Sequence, residues 1–132
     1  MGYRSEVSIA MFKSDFDNIV KDARENCKEG FDLIKYGTIE LYKREIEDVI
    51  VITWSDIKWY EGYNDIDYIM DSLKHLADIE RPYKFIRIGE GTGDVEVDEN
   101  YTDWDKDYPV TDIIYPVTYI SGDQDGEFIN LD

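Results

Sequence analysis

At 132 residues the chain has the length of one domain with a single core, and its 11 Tyr, 3 Trp and 5 Phe exclude an intrinsically disordered polymer. Its 31 carboxylates against 14 Lys and Arg leave a net charge of −17. That balance excludes direct binding of nucleic acid or an anionic membrane, whose phosphates need facing cations, and suits a basic partner or divalent ions.

In chain order, "YRSEVSIAMF" (Tyr3–Phe12) sets Val7, Ile9 and Met11 at period two and reads as a strand. "KSDFDNIVKDARENC" follows with Phe16, Ile19, Val20, Ala23 and Cys27 at helical spacing. Ser14 is its expected cap and Gly30 its expected stop. "LIKYGTIELYKRE" reads as a strand bent at Gly37, and "IEDVIVITWSDIKWY" as a central strand bent near Ser55 and Asp56. "YNDIDYIMDSLKHLADIERP" is the clearest helix, capped by Asn64, with Ile66, Ile69, Met70, Leu73, Leu76 and Ala77 as its buried stripe. "YKFIRIGE" is a strand. "VTDIIYPVTYIS" is another, for which Pro116 demands an edge or a break, and "EFINLD" returns as a short strand after the "GDQDG" turn. The expected fold class is α+β. It comprises a ferredoxin-like βαββαβ antiparallel sheet over 1–88 with two helices on one face, and an acidic β-rich extension over 89–132, in one domain.

The charge is unevenly spread. From Ile88 onward there are thirteen carboxylates against Lys106 alone, a balance of −12, which leaves −5 for the preceding residues. This tail is the functional candidate. "GEGTGD" (Gly89–Asp94) lacks the following helix and the Lys of a phosphate loop, and its own acids repel phosphate, so it reads as a turn between strands. Asp103, Asp105 and Asp107 open like a calcium loop, but Tyr108 stands where Gly is needed and Ile114 where a carboxylate is needed. "SGDQDGEFINLD" comes closer, with Ser121, Asp123, Asp125, Gly126 and Asp132 at loop positions. No helical pattern precedes it, so it reads as a turn.

His75 falls on the solvated side of the second helix and Cys27 is the lone cysteine. Together they rule out an intrachain disulfide and a His/Cys zinc cluster, and a reducing compartment is expected. No enzyme signature stands out, and no cofactor is expected. No apolar run approaches the roughly eighteen residues of a membrane helix. There is no signal-peptide pattern, and Glu6 breaks a myristoylation motif. Trp54 belongs to the core, while Trp59 and Tyr60 fall on opposite faces if their strand persists. Tyr101 and Trp104, set within the acids, are either partner anchors or a loop packed onto the domain.

"MGYRSEV", "KWY" and "FIRIGE" followed by acids resemble a family of small, mostly uncharacterised proteins of bacteriophages and prophages. The resemblance implies a phage origin and the cytoplasm of an infected bacterium. It carries no catalytic residues. With the charge, it leads to an expected acidic inhibitor of a host nucleic-acid-binding defence protein, of the anti-CRISPR or anti-restriction type. A CRISPR effector or restriction nuclease is the expected basic partner, bound by carboxylates that mimic phosphates. Asp98, Glu99, Asp103, Asp105 and Asp107 would supply charge in a fixed array, and Tyr101 and Trp104 the anchors. The alternatives are a non-enzymatic phage accessory or structural protein forming homo-oligomers, such as a homodimer, through sheet edges, and an acidic antitoxin or immunity protein.

Overall fold

The computed structural model describes residues 2–106, 109–116 and 119–131. The elements are β1 (Ser5–Phe12), α1 (Lys13–Asn26), α2 (Lys28–Tyr36), β2 (Thr38–Tyr42), β3 (Val49–Ile57) and α3 (Asn64–Asp78). They continue with β4 (Tyr83–Gly89), β5 (Val95–Asn100), a 3-10 turn (Asp103–Asp105), β6 (Ile114–Pro116), β7 (Ile120–Gly122) and β8 (Glu127–Ile129). The fold is α+β. A sheet in the order β5-β4-β1-β3-β2-β8 pairs antiparallel throughout and carries the helices on one face.

Alternation along the strands builds two cores. Val7, Ile9 and Met11 of β1 meet Ile50, Ile52 and Trp54 of β3 and Phe85 of β4 under the helical residues Phe16, Ile34, Ile66, Ile69 and Leu73. The intervening residues face the other way. Ala10, Phe12, Val49, Val51 and Ile86 are covered there by Val110, Ile113 and Ile114 of the tail. Burial of those three tail side chains contributes about 1.5–3 kcal/mol each. The acidic tail is therefore integral: it adds β5 at one edge of the sheet, crosses the second face, and adds β8 at the other edge.

The expected bend in β3 is present, with Asp56 at φ +54 and a register shift opposite Ser5 and Val7. Three expectations are corrected. Among the described residues there are three α-helices, because Lys28–Tyr36 is helical where a strand was expected from Leu33, and Gly30 lies inside α2 rather than ending α1. The reason is tertiary. Leu33 and Ile34 turn onto the core, and the Leu33 carbonyl, which the helix end leaves open, accepts the Trp54 indole N–H at 2.9 Å. Neither Ser14 nor Asn64 is a cap. Each lies inside its helix, and the Glu47 carboxylate meets the start of α1 by accepting from the Ser14 N–H at 3.0 Å. In place of one strand across Val110–Ser121, β6 pairs antiparallel with β7 in a separate two-stranded sheet.

Candidate functional site

β5 is an edge strand that runs in unbroken register with β4, from Tyr83 opposite Asn100 to Ile88 opposite Val95. Alternation divides its side chains. Glu96, Asp98 and Asn100 share the helical face with Arg87, Phe85 and Tyr83. Val95, Val97 and Glu99 share the opposite face with Ile88, Ile86 and Lys84. Asp98 and Glu99, expected in one array, therefore point to opposite faces.

Each β5 acid is held by a neighbour on β4. Glu96 accepts from Arg87 Nε at 3.1 Å, Asp98 from the Tyr83 hydroxyl at 2.8 Å, and Glu99 pairs with Lys84 Nζ at 3.1 Å. Lys84 is itself buried and donates to the Thr111 carbonyl at 2.8 Å, which ties the tail to the sheet. These contacts fix the carboxylates without covering them: the side chains of Glu96 and Glu99 stay 54% and 47% exposed. Asp94, Glu96, Asp98, Glu99 and Asp103 stand against Arg87, Lys84 and Arg81, so this end of the sheet keeps a negative excess.

The "GEGTGD" turn is a staple between β4 and β5. Gly93 sits at φ +76, and a Cβ on Gly89 would lie 2.1 Å from Asp94 Oδ2. The Tyr3 hydroxyl donates to Asp94 at 2.5 Å and accepts from the Gly91 N–H at 2.6 Å, while Arg87 grips the same carboxylate at 2.8 Å. The Gly89 and Asp94 N–H groups bond within the turn and the Gly91 N–H bonds Tyr3, so these three backbone donors are not turned toward a phosphate. The Arg87 and Tyr3 contacts hold the Asp94 carboxyl below its ordinary value.

Past Asn100 the chain meets Arg81, whose carbonyl accepts from Asn100 Nδ2 at 2.9 Å. The Arg81 guanidinium lies over the rings of both Phe12 and Trp104, 5.2 and 5.3 Å from their centroids. Trp104 thus packs on the domain by one face and remains 56% exposed, and Tyr101 is 52% exposed. Asp103 is exposed beside them.

Asp105 does not belong to this surface. It is fully buried, and its carboxylate accepts from the Val110 N–H at 2.7 Å, the Thr111 N–H at 3.2 Å and the Thr111 hydroxyl. Asp107 lies outside the described residues. Glu96 and Asp94 join the site although the spacing did not single them out.

Asp123, Asp125 and Glu127 lie at the opposite edge. Arg44 holds Asp123 at 2.7 Å and Asp125 at 2.8 Å, so both are engaged in ion pairs where the calcium-like spacing fell. Asp132 is outside the described residues. Among the described residues no group of three or more His, Cys, Asp or Glu could hold a metal ion, and no helix is long and apolar enough to cross a membrane. A groove of about 430 Å³ between α1 and α3 is lined by Asp15, Asp22, Tyr68, Asp71, Ser72 and His75.

Burial, and then the bond to Asp98, push the Tyr83 hydroxyl up to about 12; burial and Glu40 do the same for Tyr42. Unfolded tyrosines ionise near 10, so folding free energy is lost as the pH rises from about 10 to about 12. A spectrophotometric titration at alkaline pH is expected to show these tyrosines ionising after the exposed ones. A single phase centred near 10 in the folded protein would contradict the Tyr83–Asp98 geometry.

No protein-family model, no curated protein and no solved structure matches the chain.

Proposed function

We propose that this chain is a non-enzymatic acidic binding protein that occupies the phosphate-holding cationic groove of a nucleic-acid-binding protein. A phage inhibitor of a host defence nuclease, of the anti-CRISPR or anti-restriction type and acting in the infected cytoplasm, is the form this takes. The observation that carries the reading is the β5 edge. There, carboxylates are anchored by β4 yet remain open to solvent, and they run into the exposed rings of Tyr101 and Trp104. Fixed charge steers a basic surface into register, and a large aromatic gives the desolvated contact that holds it. In this reading Asp98 and Asp103 with Glu99 on the other face supply charge, and Tyr101 and Trp104 the anchors. Glu96 is added and Asp105 removed.

The rigidity of the β5 edge rests on the fold beneath it. The inner strand order β4-β1-β3-β2, antiparallel and with its helices on one face, supports reading the core as ferredoxin-like, enlarged by α2, β5 and β8.

The test is affinity capture from nuclease-treated bacterial lysate, eluted by salt or by duplex DNA. A nucleic-acid-binding protein retained at low salt and displaced by the duplex is expected. Equal retention by a variant carrying E96Q, D98N, E99Q and D103N would refute the assignment of the surface.

A further inference from the structure

The β5 edge has a second property besides its charge. Its six residues pair on one side only, and no proline, lysine or bulge interrupts "VEVDEN", so the device that guards this edge is its carboxylates, which oppose an acidic or neutral strand and not a basic one. We infer that β5 accepts one further strand from its partner, an extended segment in which cationic and apolar residues alternate. This rests on the basic partner proposed above and specifies how that partner is held.

The side chains define the incoming pattern. On the helical face Glu96 and Asp98 stand two residues apart, so cations at alternate positions of an added strand would lie across from them. On the opposite face Val95 and Val97 are 43% and 45% exposed, and the intervening apolar residues of that strand would cover them.

A second copy of β5 fits poorly. Antiparallel self-pairing centred on Val97 sets Glu96 against Asp98, centring on Asp98 opposes Asp98 with itself, and the register between these sets Glu96 against Glu99. In-register parallel pairing opposes every acid with its own copy. Directly opposed like charges destabilise a sheet, so the edge rejects itself and admits a basic strand.

The probes are two seven-residue peptides of identical Lys and Val content, one strictly alternating and one with its lysines in a single block. Binding to the full chain is followed by fluorescence anisotropy and by amide hydrogen exchange. The alternating peptide is expected to bind at least tenfold more tightly than the block peptide at equal salt, and to slow exchange within Val95–Asn100 by at least tenfold. The E96Q/D98N variant is expected to lose this preference. Equal affinity for the two peptides, binding without protection of β5, or no binding would each overturn strand addition. So would protection that rises with protein concentration in the absence of peptide, which would identify a second copy as the occupant. If the capture experiment succeeds and is lost in the E96Q/D98N/E99Q/D103N variant while the peptides fail, the basic partner stands and only strand addition falls.

Discussion

Arg81→Met is expected to lower the unfolding free energy by about 3–5 kcal/mol, the scale of breaking a buried ion pair from one side. Asp15 is buried to a side-chain exposure of 7%, and both of its oxygens accept from Arg81 Nε, at 2.9 and 3.1 Å. Arg81 also donates to the Ser14 hydroxyl at 3.3 Å and lies over the rings of Phe12 and Trp104. Methionine keeps much of the volume and none of the donors. Burial raises the Asp15 carboxyl above its ordinary value and Arg81 pulls it down, so removing Arg81 raises it further. A raised carboxyl binds its proton more tightly in the folded state, and its contribution to stability falls as pH rises through its folded value. The variant is therefore expected to recover part of its deficit in mild acid, and Asp15→Asn in the same chain is expected to recover part of it at neutral pH. Urea denaturation at the two pH values measures both effects. A loss below about 1 kcal/mol would show that the pair and the stacked guanidinium are not structural.

The second large effect is at Asp105. Its alanine variant leaves two buried backbone N–H groups and a buried hydroxyl without their acceptor, and a cost of about 2–4 kcal/mol is expected. The damage is local in origin and wide in reach. Val110, Ile113 and Ile114, which roof the second face of the sheet, follow directly in the chain, and Lys84 is bound to the Thr111 carbonyl. Faster amide exchange at Val110 and Thr111, with the helical face less affected, is the expected signature. Under conditions where the variant is folded, its affinity for a basic partner should be that of the parent chain. A weaker, less salt-dependent complex would return Asp105 to the binding surface.

Those two residues also show where sequence and structure part. The alternation of β1, the apolar run of β3 and the periodic stripe of α3 were legible because burial on a face writes a period into the chain. The helix α2 was not, since Gly30 and Gly37 read as breaks and its C-terminal carbonyl is satisfied by Trp54, 21 residues away. β5 did carry a period-two signal in Val95 and Val97, hidden among acids that read as surface. Asp103, Asp105 and Asp107 looked equivalent because spacing gives charge and not direction. Only the fold shows that Asp105 turns inward onto Val110 and Thr111. Arg81 drew no notice because its partner Asp15 is 66 residues distant. The tail's −12 was legible as a number, whereas its division between the β5 and β8 edges depends on the strand order.

The most direct measurement is the affinity of the captured basic protein, purified and free of nucleic acid, for the parent chain and for the E96Q/D98N/E99Q/D103N variant across a salt series. The account predicts a loss of about a hundredfold at low salt for the variant, with a shallower salt dependence and a separate loss of at least tenfold for Trp104→Ala. Equal affinities and equal salt slopes for parent and variant would contradict it.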